Sequence, residues 1–322
     1  MQGRNPKLIV IGATYIDLSI RCSQIPTVGQ YVTGSELSYS IAGPGPVQAV
    51  QAALCGCDVS LISKIGGDPF AKWALKGLEE DNINTDYVQI VKAKNTGFNV
   101  TLVSSKGENA GCNYSGANCS LTAMDIREAE ELIAEADACL IHGELPQEAI
   151  CEAIRCAKVH GTKAILNPAR PIDSKGQEGE ELPNEYFLVD IIIPNLSEAA
   201  DITEKYNAGI RNAKLIGSDL IARGVKQAVI TMGKRGCMVV DRDGADHIPA
   251  FDVDLVDQSG RGHAFTGALA AYCAIGDDLR GAVKFASAAG ALACTRFGLI
   301  ESLPTKSDIL VLLQKQDTEH EE

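Results

Sequence analysis

Asp257-Gln258-Ser259-Gly260-Arg261-Gly262-His263-Ala264-Phe265 runs directly into a stretch of small and apolar residues. Two glycines bracket one residue at the point where a helix can begin. N–H groups without intrahelical partners collect at such a point and can hold an anion. In a phosphoryl-transfer site the residue after the second glycine is the place for a general base. Here it is His263, with Arg261 between the glycines. The stretch has the frame of an anion site, with an imidazole where proton-transfer chemistry belongs.

Working outward, short apolar runs closed by glycine, proline or asparagine alternate with helical patterns. Strands are expected at 7–12, 59–66, 138–142, 163–166, 189–193 and 228–233. Helices are expected at 47–54, 70–81, 124–136, 146–160, 213–223, 264–275 and 279–294, with another starting at Glu198. In the helix at 70–81, Trp73, Leu75 and Leu78 read as the apolar side. The β-α-β-α rhythm implies an α/β fold with a doubly wound, mostly parallel sheet flanked by helices, its ligands beyond the carboxyl ends of the strands. Two stretches, 15–41 and 87–115, are richer in Thr, Val, Tyr and Ser and suggest a small separate β layer. In the second, residues 99–103 and the turn 106–109 read as a hairpin. Residues 1–322 are read as a single domain, with 315–322 as a solvated acidic tail.

The 322 residues can bury a sizeable core, and 45% hydrophobic with 22% charged residues is ordinary for a soluble globular chain. A net charge of −13 argues against nucleic-acid or anionic-membrane partners. A local phosphate site is still compatible with it, because backbone dipoles act at short range. The 11 cysteines include no Cys-x-x-Cys pair and lie mostly in apolar runs, as expected of reduced thiols in a cytoplasmic protein. No apolar stretch is long enough to span a bilayer. His142, His160, His247 and His320 share no metal-ligand spacing and read as structural or surface residues.

Several motifs in order resemble the ribokinase-like (PfkB) carbohydrate kinase family. Asp257, Gly260, Gly262 and Phe265 fall in register with its Asp-Thr-x-Gly-Ala-Gly-Asp-x-Phe signature, so that His263 takes the position of the catalytic aspartate. Asn195-Leu196-Ser197-Glu198 resembles its Asn-x-x-Glu motif, and Thr231-Met232-Gly233-Lys234-Arg235-Gly236 its Thr-x-Gly-x-x-Gly nucleotide loop. Asn167-Pro168-Ala169-Arg170-Pro171, Gly107-Glu108-Asn109 and Gly116-Ala117-Asn118 are also similar to ribokinase segments. The resemblance implies a doubly wound α/β domain with a β-sheet lid that serves as a homodimer interface. It also implies ATP-dependent phosphorylation of a sugar-like hydroxyl with Mg²⁺, aided by K⁺.

Carried over residue by residue, the resemblance gives Asp17 and Glu144 contacts to sugar hydroxyls, which suit carboxylates because each offers two acceptor oxygens. Gly43 and Gly45 retain the sugar loop, whereas Val47 replaces its asparagine, Pro44 stands at a usual lysine position, and Tyr15 replaces a smaller polar residue. These changes remove hydrogen-bonding groups and stiffen the loop. Asn195 and Glu198 would organise Mg²⁺ through water, or alternatively cap a helix. Thr231 and Gly233 would approach nucleotide phosphates, or form a tight strand–helix turn. Asp257 and Ser259 offer oxygens to a monovalent cation. Gly260 and Gly262 form the anion hole, with Arg261 as an added charge that could crowd the acceptor.

Two readings stay open. One is an ATP-dependent small-molecule kinase with an unusual acceptor and a substituted base. The other is a non-catalytic relative that binds a nucleotide, a sugar phosphate or a partner. Hydrolysis of a phosphate ester through His263 is a third.

Overall fold

The computed structural model describes residues 4–106, 108–169, 182–205 and 210–319. Its strands are β1 (Lys7–Ile11), β2 (Tyr15–Cys22), β3 (Gly34–Ala42), β4 (Asp58–Gly66), β5 (Ile83–Asn84), β6 (Val88–Val91), β7 (Gly97–Ser104), β8 (Asn109–Tyr114), β9 (Ala138–His142), β10 (Lys163–Asn167), β11 (Ile191–Ile192), β12 (Gln227–Thr231), β13 (Cys237–Val240) and β14 (Ala245–Ile248). The helices are α1 (Pro44–Leu54), α2 (Pro69–Glu80), α3 (Ala123–Glu128), α4 (Glu130–Ala134), α5 (Gln147–His160), α6 (Leu196–Thr203), α7 (Ile210–Ala222), α8 (Arg261–Ile275), α9 (Leu279–Ala293) and α10 (Lys306–Glu319).

The main sheet runs β14-β13-β12-β11-β10-β9-β1-β4-β5, with β6 also paired to β4. It is parallel except for the β12-β13-β14 edge. The strands of its centre are buried on both faces, and alternation sorts their side chains. Leu8 and Val10 join the core beneath α1, α8 and α9, while Ile9 and Ile11 join the core beneath α3 to α7. Each such buried leucine or isoleucine contributes about 1.5–3 kcal/mol. From β1 the chain runs outward to β4 and then returns to β9 on β1's other side. That reversal opens a crevice at the carboxyl ends of the strands.

The stretch 87–115 divides. Residues Val88–Val91 extend the main sheet as β6, and β7 and β8 join β2 and β3 in a second sheet of order β3-β2-β7-β8. The antiparallel β7–β8 pair is the expected hairpin, though Gly107 in its turn lies outside the described residues, as do Arg170 and Pro171.

Other expectations need correction. Helix α1 begins at Pro44 rather than at residue 47, because a proline in the first turn lacks only an N–H that would have no intrahelical partner. The buried side of α2 is Ala71, Ala74 and Leu78. Trp73 is 38% exposed and packs edge-on against Tyr39 of the second sheet. The helix expected at 124–136 is two, separated at Ala129 without a glycine or proline to mark the break. The tail expected at 315–322 is helical as far as Glu319. Thr305 and Asp308 cap the start of α10 reciprocally, and Ile309 anchors it in the core.

One contact sets the height of α1 over the crevice. A Cβ built on Gly12 would lie 2.6 Å from Gly45 Cα, and one on Gly45 would lie 2.7 Å from the Gly12 carbonyl. The end of β1 and the first turn of α1 thus meet backbone to backbone. Gly12→Ala is expected to lower stability by about 1–3 kcal/mol, read as a lower urea midpoint with an unchanged m value.

Candidate active site

Helix α8 is apolar on every side and packs between α1 and α9, so its first turn has a fixed position. Gly260 caps it in the left-handed region, at φ 76°, without a side-chain cap. Before it, Asp257 Oδ1 accepts from Ser259 N at 2.9 Å and Oδ2 from Gly298 N at 3.4 Å, tying the turn to the loop after α9. The helix begins at Arg261, three residues before the expected start, and the αL glycine explains the difference. A Cβ added to Gly262 would meet nothing within 4 Å.

Two clefts meet at this helix end. The larger, about 980 Å³, is lined by Asp17, Gly43, Glu144, Asp257, Ser259, Gly260 and His263, with Ser40, Asn99 and Asn113 from the second sheet. Asp17, on β2, pairs in register with Ser40 and Asn99, and burial raises its carboxyl above the usual range. Tyr15 Oη donates to Glu144 Oε1 at 2.8 Å. Burial, with the Glu144 carboxylate beside it, holds the phenol protonated. The Tyr15 ring is gripped by two glycines, since a Cβ on Gly43 or Gly97 would lie 2.9 or 2.6 Å from it. Val47 is fully buried in the core and does not line the cleft, because the helical start at Pro44 turns it inward.

The smaller cleft, about 240 Å³, is lined by Asn195, Thr231, Gly233, Arg261, Gly262 and Phe265 among others. Arg261 therefore sits on this side and not in the larger cleft, and its Nη2 donates to the Gly233 carbonyl at 3.0 Å. Gly233 has φ 61° and open space where a Cβ would stand. Asn195 and Glu198 form a reciprocal capping box, with Asn195 Oδ1 accepting from Glu198 N and Glu198 Oε2 accepting from Asn195 N. The capping reading is thus satisfied. Burial, reinforced by Asp201, also pushes the Glu198 carboxyl up to about 7, against the lowering effect of the Asn195 N–H. A desolvated carboxylate of this kind suits a nearby cation. Among the described residues no three His, Cys, Asp or Glu side chains gather as a metal cluster.

His263 lines the larger cleft at the junction. Burial pushes its imidazole down to about 4, so it is neutral at pH 7. Its Nδ1 lies 3.4 Å from Gln48 Nε2, which also donates to Asn167 Oδ1 at 3.0 Å. The His142 ring packs edge-on to it with centroids 6.1 Å apart. His142 Nδ1 accepts from Glu144 N at 3.1 Å, and burial with His263 nearby pushes it down to about 3.

A family model of the pfkB family carbohydrate kinases matches residues 5–306. The chain belongs to the pfkB family. A bifunctional ribokinase/ribose-5-phosphate isomerase A of Fructilactobacillus sanfranciscensis is 34% identical over 98% of this chain, which spans 58% of that relative's length. A deoxyribokinase of Salmonella typhi is 30% identical over 92% of this chain and 95% of its own. A ribokinase of Haemophilus influenzae is 30% identical over 95% and 98%. Among solved structures, the ribokinase of Thermotoga maritima superposes with a TM-score of 0.83 at 25% identity, covering 95% of this chain and 99% of that one. An Arabidopsis thaliana ribokinase complexed with ribose and ATP gives 0.88 at 24% identity, covering 96% and 99%.

In this pfkB chain the structure adds site residues that the motifs did not reveal. Gln48 stands beside the altered Val47 and faces His263, and His142 lies beneath the ring as well as serving the fold. Asn99, Asn113 and Phe297 reach the larger cleft from segments without a motif. Only the helical phase of α1 could have separated Gln48 from Val47. Both histidines are neutral in the folded chain, whereas an unfolded histidine titrates near 6.5. Their stabilising contribution is complete above pH 6.5 and lost as the pH falls toward about 4 and about 3. Each should contribute a slope on the order of 1.4 kcal/mol per pH unit in that window. Urea unfolding between pH 7 and 4.5 should show a shallower decline for His142→Asn than for the wild type.

Proposed function

We propose that this pfkB protein binds a nucleoside triphosphate in the smaller cleft and a hydroxylated, sugar-sized molecule in the larger, and that phosphoryl transfer between them is impaired. The observation that carries this reading is their meeting point. Gly260 and His263 line one cleft, Arg261 and Gly262 the other, and all four belong to one helix start.

Asp17 and Glu144 supply acceptors for ligand hydroxyls, and the α8 N-terminus supplies donors where charge gathers on a moving phosphoryl group. The relatives named ribokinase and deoxyribokinase, and the Arabidopsis complex with ribose and ATP, support this division of ligands. Asn195 and Glu198 would hold Mg²⁺, which neutralises phosphate charge when bound. His263 lacks what a carboxylate brings to the junction. Pushed to about 4, its proton affinity approaches that of an ordinary aspartate. It nevertheless carries no negative charge to draw and orient a hydroxyl, and taking a proton would leave a buried cation.

One observation favours the non-catalytic reading, in which the pair of clefts senses a nucleotide or sugar phosphate. Tyr15 occupies one oxygen of Glu144 and leaves fewer acceptors for a sugar in the usual pose. Exposed Leu37, Tyr39 and Tyr114 on the second sheet support its role as a lid and homodimer surface. The 11 unpaired cysteines, ten of them buried, support a cytoplasmic setting. No helix among the described residues is long and apolar enough to cross a membrane.

ADP release measured over pentoses, hexoses and nucleosides tests the reading. His263→Asp should exceed the wild type by about 10²–10⁴-fold, the range typical of general-base catalysis. Wild-type turnover that equals His263→Asp and disappears in His263→Ala would refute impairment. Absence of ATP binding by calorimetry would refute the two-cleft assignment itself.

A further inference from the structure

A part-buried chain of amides runs from the main sheet to His263. Asn167 ends β10, and its Nδ2 donates to the Ile193 carbonyl at 2.8 Å. That bond fixes the amide's orientation and leaves Oδ1 to accept from Gln48 Nε2 at 3.0 Å. Gln48 is fully buried on α1, and α8 presses against it: a Cβ on Gly267 would lie 2.6 Å from the Gln48 carbonyl. The Gln48 amide cannot be turned over, since its Oε1 would then face Asn167 Oδ1, acceptor against acceptor. In the orientation it adopts, Oε1 is buried without a hydrogen-bond partner among the described residues.

An amide nitrogen carries two hydrogens and accepts none. One hydrogen of Gln48 Nε2 goes to Asn167 and the other faces His263 Nδ1 at 3.4 Å. Nδ1 must therefore be the bare nitrogen of the neutral ring, and the ring proton lies on Nε2. No described residue is hydrogen-bonded to Nε2, and His263 lines the larger cleft at the junction.

We propose that Gln48, oriented by Asn167, is a positioning residue that holds His263 in its Nε2–H form, so that the imidazole meets a bound phosphoryl oxygen as a hydrogen-bond donor. This rests on the two-cleft reading above and sharpens it. The nitrogen left facing the ligand has no lone pair with which to take the acceptor's proton. The deficit is one of tautomer as well as charge, and it is set by a residue of α1, far in sequence from the glycine signature that opens α8. With the helix N–H groups, the Nε2–H is a further donor at the junction, which suits an anionic oxygen better than a hydroxyl.

The decisive measurement is the tautomer in the full-length wild type. Long-range ¹H–¹⁵N correlation of histidine-labelled protein at pH 7, with His263→Asn to assign the signals, should show a protonated Nε2 and a bare Nδ1. A bare Nε2 overturns the proposal whatever the activity. Addition of ATP should shift the Nε2–H resonance; ATP binding by calorimetry with that resonance unmoved would also overturn it. Loss of ATP binding with Nε2–H still observed would instead refute the two-cleft reading. Gln48→Glu, made together with Asn167→Ala to remove the oxygen it would otherwise face, supplies an acceptor and should move the proton to Nδ1, raising ADP release about 10²-fold over the same sugar panel. That gain should vanish when His263→Ala is added. A reversed tautomer without a gain would overturn the claim that Gln48 limits transfer. Should Gln48→Glu fail to fold, the wild-type tautomer and its response to ATP decide alone.

Discussion

The burial of α8 on all sides is the constraint on which the site depends. A helix held between α1 and α9 cannot roll or tilt without opening the core, so the direction of its first N–H groups is fixed before any ligand arrives. Its neighbours are placed by similarly close contacts. Gly12 and Gly45 set α1 against the end of β1, and Gly267 brings α8 onto the backbone of α1 at Gln48. Side-chain chemistry at the junction is thus decided by backbone packing, and an anion site at this helix start is compatible with a net charge of −13 because such attraction is local and oriented.

Polar groups at the crevice follow one pattern: most are desolvated, and several are held by a neighbouring residue. Glu144 is bound by Tyr15, the His142 ring nitrogen by the Glu144 backbone, and Glu198 by its own helix cap. Burial raises the Asp17 and Glu198 carboxyls and lowers both imidazoles, so in each case it disfavours the charged form. Such a site responds strongly to the charge of whatever enters it. An anionic ligand would meet donors at α8, while a cation would favour the ionised form of the carboxylates.

Much of this was legible in the sequence. Central strands announce themselves as apolar runs because they are covered on both faces, and the glycine-bracketed helix start declared itself by residue type alone. The main sheet and the family followed from the order of the motifs. What was hidden is relational. Trp73 looks like a core residue until the second sheet supplies Tyr39 as its partner. Pro44 looks like a loop breaker because its helical placement depends on an N–H that needs no partner. Gln48 carries no motif, and its role appears only when α1 brings it between Asn167 and His263. The strand β13 escaped notice because its apolar run is only four residues long, and β14 because only its last residue is buried.

The ring of Tyr15 has a meaning beyond the ligand cleft. It opens β2 and pairs with Ala42 at the end of β3 and with Gly97 at the start of β7, while Phe98 beside it pairs with Tyr114 at the end of β8. All four strands of the second sheet therefore join the main body at one end, around a single aromatic ring gripped by two glycines. The sheet is a module rooted at this collar and braced by α2, where Tyr39 packs on Trp73 and Ile16 and Ile41 on Ala74. Grafting it onto a related scaffold would require carrying this collar, Tyr15 with Gly43 and Gly97, together with the α2 side chains that brace it, and a chimera that kept the strands but changed the collar would lose the angle between the two sheets.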